Sequence, residues 1–309
     1  MPFLASFSCL WCGTAHTTRS AHDLEGWAQL CPDCVGKAGD NGFLRFRLRQ
    51  ALTERSAAAG PTVARQAPAR IAPTAAAPGR TSGVAEVERA MIDYYEARAP
   101  EYDDWYLRRG RYARGAIHDA AWNAELDAAG LWLDGLPWNG EIVELAAGTG
   151  WWSPLLASRG ELTLYDTSSA ALDRARERLV AHDLRAHLHV RDAWAEPDRP
   201  VDGLFMGFWL SHVPRARLAE FLDLAHRWLR PGGRLAFIDS LPDPASSAAD
   251  HPEPVDGRSL RRLADGREFT IVKVFYTADE LTAALRAAWF EAVEITRTGR
   301  FFVLGTARA

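Results

Sequence analysis

Short apolar runs alternate with longer amphipathic segments from about residue 84 to the end of the chain. The longer segments, such as ALDRARERLV and RARLAEFLDLAHRWL, carry apolar residues at the i, i+3 and i+4 spacing of helices that bury one face. The short runs predict strands near 141–146, 161–165, 186–190, 201–207 and 233–239. Strands that alternate with helices in this way indicate a parallel sheet with helices on both faces.

The end of the chain follows a different pattern. After the helical segment ADELTAALRAAW come two strand-like runs, EAVEITRT and RFFVLGTA, which predict a closing antiparallel hairpin. With the five earlier strands they predict an α/β fold with a Rossmann-like, seven-stranded and mostly parallel sheet. The remaining segment, 240–276, interrupts the alternation and is predicted to form an insert that faces the substrate.

Composition divides the chain into three parts. Residues 1–50 hold all four cysteines and are predicted to form a small module. Residues 51–83 are rich in Ala, Pro, Gly, Ser and Arg and contain no aromatic residue, which predicts a flexible linker because such a segment has little apolar surface to bury. Residues 84–309 form the predicted α/β domain.

Charge and hydropathy disfavour several classes of partner. The formal net charge of -4 argues against a basic surface, so nucleic acid is not the expected partner. No apolar run approaches the ~20 residues that span a bilayer, so no membrane insertion is predicted. The first residues lack the charged and apolar pattern of a secretory signal, which predicts a cytoplasmic location.

The cysteines form two pairs, Cys9-x2-Cys12 and Cys31-x2-Cys34, separated by 18 residues. This spacing is typical of a zinc ribbon, in which two knuckles place four thiolates around one structural Zn²⁺. A redox role is the alternative, although no thioredoxin-like βαβ pattern surrounds the pairs. The ribbon would bind a protein partner or, less plausibly for an acidic chain, grip RNA through the basic segment RFRLR.

The most informative motif is EIVELAAGTG at 141–150, an apolar strand that runs into a glycine-rich turn and then a helix. Asp166 follows the next predicted strand, where its carboxylate can accept hydrogen bonds from both ribose hydroxyls of an adenosine ligand. A nicotinamide cofactor is disfavoured because G-x-G-x-x-G requires a third glycine, and Ser153 stands there after Trp151 and Trp152.

With these motifs the chain resembles the class I S-adenosylmethionine (SAM) dependent methyltransferases, in particular the group that includes the ubiquinone and menaquinone biosynthesis methyltransferases. The resemblance spans about 84–309. Its motifs are ELAAGTG, the acid in LYDTS, RDAW at 191–194, VDGLFMGFWLSHVP at 201–214 and LRPGGRLAFID at 229–239. The segment YYEARAPEYDDWY at 94–106 is similar to the entry helix of that group.

The resemblance implies SAM as the cofactor, with the glycine-rich turn at its methionine and ribose, Asp166 at the ribose hydroxyls, Asp192 at the adenine amine and Phe208 near the methionine. The family usually has glycine where this chain has Ala146, and alanine is expected to fit there if its φ is negative. With Tyr95 and Tyr102 added from a predicted aromatic lid, the cofactor set is Tyr95, Tyr102, Glu144, Ala146, Gly148, Gly150, Asp166, Thr167, Asp192, Ala193, Trp194 and Phe208.

Methyl transfer from a sulfonium needs mainly proximity and alignment, and a general base only if the acceptor must lose a proton. His212, after the fourth predicted strand, is the candidate catalytic base, and a packing role at the next helix is its alternative. Lys273 is a second candidate, for which a solvated or salt-bridged strand position is favoured. For Arg258, Arg261 and Arg262 a solvated charge run is favoured over contact with an acidic substrate.

Two groups of aromatic residues lie near the predicted cofactor site. Tyr94, Tyr95, Tyr102, Trp105 and Tyr106 would form either a lid over SAM or the buried face of an ordinary docked helix. Three tryptophans lie in turns at the ligand end of the sheet and suggest an apolar pocket: Trp151, Trp152 and Trp209.

The sequence thus favours an enzyme that methylates a small molecule at O, N or C. The alternatives are an RNA methyltransferase that holds RNA with the ribbon, and a non-catalytic SAM-binding protein whose ribbon and linker recruit a partner.

Overall fold

Two separate units make up the chain, Met1–Ala77 and Pro78–Ala309. The computed structural model describes residues 5–9, 14–18 and 83–309. In the first unit, β1 (Ala5–Ser8) and β2 (Ala15–Thr18) form an antiparallel pair. Cys9 follows β1 and is buried, and its amide donates to the Thr14 carbonyl at 2.8 Å. Cys12, Cys31 and Cys34 lie outside the described residues, so the zinc site stays a prediction.

The second unit is an α/β fold, as predicted. Its helices are α1 Gly83–Arg98, α2 Asp103–Tyr106, α3 Ala116–Asp134, α4 Ser153–Ala157, α5 Ser169–Ala181, α6 Leu218–Arg227 and α7 Ala278–Ala287. Its strands are β3 Glu141–Leu145, β4 Glu161–Asp166, β5 His187–Val190, β6 Val201–Gly207, β7 Leu229–Ser240, β8 Arg258–Arg262, β9 Glu268–Val272, β10 Glu291–Arg297 and β11 Phe302–Arg308. Short 3-10 helices lie at Ala99–Glu101, Gly110–Tyr112, Leu210–His212, Arg215–Arg217 and Pro244–Ser246.

Seven strands form one twisted sheet in the order β10-β11-β7-β6-β3-β4-β5. The strands from β7 to β5 run parallel, whereas β11 pairs antiparallel with both β7 and β10. The predicted C-terminal hairpin is therefore confirmed. Ile142, Val143 and Leu145 of β3 are buried, as is typical of a central parallel strand whose two faces are both covered.

Local sequence signals set several helix starts. Ser168 caps α5, and its hydroxyl accepts from the Ala171 amide at 3.0 Å. A capping box of Thr277 and Glu280 begins α7. No helix in the described ranges is long and apolar enough to cross a membrane.

The insert at 240–276 contains a second sheet that the sequence pattern did not predict. Strands β8 and β9 form an antiparallel pair, and β9 packs against α1. The residues that β8 buries are Ser259 and Arg261, and its one large apolar residue, Leu260, is exposed, so the sequence shows no apolar alternation there. The insert and α1 together stand beside the carboxyl end of the sheet, where β3 lies between β4 and β6 and the strand order reverses. Ligands bind at such a point in open α/β sheets.

Candidate active site

The turn after β3 is held to β4 by two backbone donors. The Ala147 amide donates to the Tyr165 carbonyl at 3.0 Å, and the Gly148 amide donates to Oδ2 of Asp166 at 2.8 Å. Gly148 has φ +55°, and a Cβ built there would approach only the Tyr102 ring, at 3.9 Å. The absence of a side chain at Gly148 therefore keeps space open beside the turn rather than allowing the protein to pack against itself.

Asp166 stands at the end of β4 with both carboxylate oxygens engaged by backbone amides. Gly148 donates to Oδ2, and Ser168 donates to Oδ1 at 2.8 Å. Burial raises the pKa of Asp166 to about 6, against the lowering effect of these two hydrogen bonds. Each oxygen keeps a second lone pair, so the carboxylate can still accept two hydroxyl donors.

A cavity of about 280 Å³, here called the strand-end cavity, opens over this turn. It lies at the carboxyl ends of β3, β4 and β6 and is covered by α1. It brings together most of the predicted cofactor residues: Tyr95, Tyr102, Ala146, Gly148, Asp166, Thr167, Asp192, Ala193, Trp194 and Phe208. His212 and Trp209 also line it.

Glu144 and Gly150 do not line this cavity, and their contact with the cofactor stays a prediction. Glu144 is buried behind the turn and accepts from the Ser153 hydroxyl at 2.5 Å, and burial raises its pKa to about 8. A Cβ on Gly150 would lie 2.7 Å from Cβ of Ala175 on α5. Both residues therefore support the turn from inside the protein.

Ala146 adopts the left-handed conformation, with φ +51°. The condition under which alanine would fit, a negative φ, is therefore not met: the chain follows the path that a glycine would take, with a Cβ present. Phe208, after β6, is also left-handed, with φ +60°, and its amide donates to the Ile238 carbonyl at 2.7 Å. Non-glycine residues rarely adopt this conformation, and such residues cluster at functional sites.

The far end of the strand-end cavity offers an aromatic surface and an exposed carboxylate. Asp192 is exposed, and its Oδ1 accepts from the Trp194 amide at 2.9 Å. The guanidinium of Arg217 lies 3.7 Å from the centre of the Trp194 ring and also pairs with Glu88 at 2.8 Å. Sequence reasoning did not find Arg217, because the partners that place it at the cavity, Glu88 and Trp194, are far away in the chain.

The aromatic residues of α1 and α2 divide between lid and core. Tyr95 and Tyr102 line the strand-end cavity, whereas Tyr94 is fully buried and Tyr106 stacks on Trp151 with ring centres 4.1 Å apart. Trp151 and Trp152 are buried and do not line that cavity. Of the three tryptophans expected at a pocket, Trp209 alone lines the strand-end cavity.

Both ring nitrogens of His212 are engaged. Nδ1 lies 2.7 Å from the carbonyl oxygen of Val272, which can only accept, so Nδ1 carries the proton. Nε2 then presents its lone pair to the Tyr95 hydroxyl, which donates at 2.7 Å. Burial and the positive charge of Lys273 lower the pKa of His212 well below its usual value. His212 is thus neutral, and a proton from another group would reach it through Tyr95.

Lys273 is buried rather than solvated. Its Nζ donates to the hydroxyls of Ser211 at 2.8 Å and Ser240 at 3.4 Å, and lies 3.9 Å from Asp239. Burial lowers the pKa of Lys273 to about 8. On β8, Arg258 and Arg262 are exposed as expected for a solvated run, but Arg261 points inward and is buried.

Comparison with known proteins identifies the fold. A methyltransferase domain family matches residues 142–233. A solved structure of DhpI in complex with SAM and HEP is 30% identical, covers 72% of this chain and 98% of its own, and superposes with a TM-score of 0.58. A DhpI complex with SAH is 29% identical, covers 72% of this chain and 97% of its own, and has a TM-score of 0.57. The chain belongs to the class I SAM-dependent methyltransferases.

The methyltransferase also matches a curated relative, a ubiquinone/menaquinone biosynthesis C-methyltransferase of Coxiella burnetii. The two are 31% identical over 106 residues, which is 32% of this chain and 42% of the relative. The chain thus spans less than half the length of the curated relatives that it matches. The resemblance to methyltransferases is confirmed at the level of the class.

Proposed function

We propose that this methyltransferase transfers the methyl group of SAM to a small-molecule acceptor. A lone pair on the acceptor would form a bond to the methyl carbon while the carbon–sulfur bond breaks, its electrons passing to sulfur to leave S-adenosylhomocysteine. The leaving group needs no acid, so the protein contributes mainly position and alignment. The bound ligands of the DhpI complexes, SAM with HEP and SAH, support a small acceptor beside SAM.

The residues of the strand-end cavity fit SAM. Asp166 would accept from the ribose hydroxyls, and Gly148 would leave room for the methionine end. Asp192 would accept from the adenine amine, with the Trp194 ring beside it. Tyr95, on α1, and Tyr102, directly before α2, would close the cavity. These assignments rest on the lining of the cavity and on the lone pairs that Asp166 has left.

Asp166 is the observation that carries this proposal. It is a buried carboxylate that faces the cavity, has its two backbone hydrogen bonds in place and has room for two more. Asp166→Ala should weaken SAM binding by about a hundredfold, because two hydrogen bonds to a charged acceptor are lost. Calorimetric titration of SAM into the full chain measures this. Asp173→Ala, which removes an exposed carboxylate of α5, is the matched control and should bind SAM as the wild type does.

Two results would contradict the proposal. Wild-type protein that is folded and does not bind SAM would contradict the cofactor site. SAM binding without release of S-adenosylhomocysteine for any small acceptor would favour a non-catalytic role instead, and methylation of RNA alone would favour the RNA methyltransferase.

We also propose that Cys9, Cys12, Cys31 and Cys34 bind one structural Zn²⁺ in a module at 1–50, joined by a linker at 51–83 to the domain at 84–309. The paired strands β1 and β2 flank the first cysteine pair along the chain, and Cys9 is buried, as knuckle ligands are. Metal analysis of purified protein should give about one zinc per chain. Cys12→Ser should lose it while SAM affinity stays unchanged. A cytoplasmic location and a protein partner of the ribbon remain predictions of the sequence.

A further inference from the structure

A second cavity, of about 60 Å³, adjoins the strand-end cavity on the side of the insert. We call it the cationic cavity, because three of its lining residues carry positive side chains: Arg98, Arg261 and Lys273. It shares four side chains with the strand-end cavity, namely Tyr95, Tyr102, Phe208 and His212. A molecule in the cationic cavity would therefore lie against the same wall as bound SAM.

The three cations come from separate elements and are all buried, at 8% exposure each. Arg98 ends α1, Arg261 lies on β8 and Lys273 follows β9. In the part of the chain that the structure describes, no carboxylate pairs with Arg98 or Arg261. The guanidinium of Arg98 lies 4.5 Å from the Tyr102 ring centre, and Arg261 contacts the Ser247 hydroxyl at 3.3 Å and Nδ1 of His251 at 3.1 Å.

Nearby carboxylates do not balance this charge. Asp239 lies 3.9 Å from Lys273 and accepts from the amides of Ser211 and Ser240. Asp243 lines the cavity but forms an ion pair with Arg300. Two guanidinium charges thus remain buried without a counter-charge among the described residues. Such an arrangement is costly unless a bound anion balances it.

Unpartnered polar atoms point to the same conclusion. The hydroxyls of Tyr94 and Ser246 and Nε of Arg98 are buried and have no hydrogen-bond partner among the described residues. All three side chains line the cationic cavity. Hydroxyl and guanidinium donors in a small buried space are complementary to the oxygens of an anion.

The state of His212 also favours an acceptor that arrives already charged. Its Nε2 accepts from Tyr95, and the nearby charges of Lys273, Arg261 and Arg98 oppose a further proton on the ring. A neutral acceptor that must lose a proton would find a poor base here. An oxyanion needs none, because its own oxygen can provide the lone pair that forms the bond to the methyl carbon.

We propose that the methyl acceptor carries an oxyanion, a phosphoryl, phosphonyl or carboxyl group, which Arg98, Arg261 and Lys273 bind in the cationic cavity. The inference rests on the proposed function and specifies its substrate class. The cavity, of about 60 Å³, is of the size of one such group.

Equilibrium titration of the full chain, with S-adenosylhomocysteine present, tests this inference. The probes are inorganic phosphate, methylphosphonate, acetate and the uncharged acetamide. At least one of the anions should bind saturably, and acetamide should not. Phosphate or methylphosphonate without acetate would identify a phosphorus oxyanion, and acetate alone a carboxylate. Arg261→Gln should weaken anion binding by about tenfold or more. Arg258→Gln, on the exposed face of the same strand, should bind as the wild type does.

Folding and cofactor binding are measured on the same samples. Because Arg261 is buried, Arg261→Lys is the second variant, and it should retain part of the anion affinity. SAM binding by wild-type protein without binding of any anion would overturn this inference and leave the proposed function standing. Equal anion binding by wild type and a folded Arg261→Gln would overturn it as well. Loss of SAM binding in the wild type would instead contradict the proposed function.

Discussion

Ala146 is a residue whose backbone conformation conflicts with its side chain. Its φ of +51° costs an alanine roughly 1–2 kcal/mol relative to a right-handed conformation, whereas glycine adopts it without that cost. The residue lines the strand-end cavity, so the strain is located where SAM is proposed to bind. The sequence shows the substitution for the usual glycine of the family, but a residue letter does not reveal the sign of φ.

Ala146→Gly should therefore stabilise the protein. The relief of strain exceeds the added entropy of the unfolded chain, so we expect the free energy of unfolding to rise by about 0.5–1 kcal/mol. Urea denaturation of both proteins measures the change. Ala147→Gly, at the neighbouring position without a positive φ, should lower the free energy of unfolding by a similar amount. A loss of stability in Ala146→Gly would show that the strain is absent.

At the scale of elements, the two glycines of the turn differ in what they accommodate. Gly150 lies where the turn meets α5, and a Cβ added to it would come within 2.7 Å of Ala175, whereas Gly148 faces the cavity. The motif ELAAGTG makes the two look equivalent, since spacing alone does not tell packing from ligand contact. The two glycines differ because α5 packs against Gly150, and the motif alone does not show where α5 lies.

Gly150→Ala should lower the free energy of unfolding by about 2–4 kcal/mol, through overpacking and a left-handed alanine. Gly148→Ala should cost about 1–2 kcal/mol, from its backbone alone. It should, however, weaken SAM binding, because its methyl group would enter the strand-end cavity. Thermal denaturation and SAM titration of the two variants separate these effects. Equal stability losses in the two would contradict the assignment.

The elements themselves were largely predictable, and the insert was not. Buried parallel strands such as β3 and β6 are mainly apolar, and caps such as Ser168 mark helix starts, so their positions follow from the sequence. In β8 the buried side chains are those of Ser259 and Arg261, and neither a serine nor an arginine indicates burial in a sequence. The location of Arg261 follows from the pairing of β8 with β9 and from the cavity beneath it. The cationic cavity therefore required the structure.

At the scale of the whole molecule, two buried carboxyl groups make stability depend on pH. Burial raises the pKa of Glu144 to about 8 and that of Asp166 to about 6. The folded protein thus binds these protons more tightly than the unfolded chain does. The stabilisation is fully present below the ordinary carboxyl pKa and is lost as the pH rises, first through about 6 for Asp166 and then through about 8 for Glu144.

Glu144→Gln should remove the part of this loss of stability that occurs as the pH rises towards about 8. At pH near 5 the variant and the wild type should differ little in the free energy of unfolding, since Glu144 is protonated and Gln has a similar shape. At pH near 9 the variant should be more stable by an amount on the order of 4 kcal/mol, because no buried carboxylate must ionise. Urea denaturation across this range measures the difference. Parallel pH profiles for the two proteins would contradict the elevated pKa of Glu144.

Because the two cavities share a wall, binding in one is expected to be coupled to binding in the other. Tyr95 and His212 line both cavities and are hydrogen-bonded to each other. A ligand that moves these two side chains in one cavity therefore changes the surface that a ligand contacts in the other. Any such effect is reciprocal: the factor by which the methyl donor changes the affinity for the acceptor equals the factor by which the acceptor changes the affinity for the donor. Donor affinity measured without an acceptor therefore describes only one corner of a binding cycle.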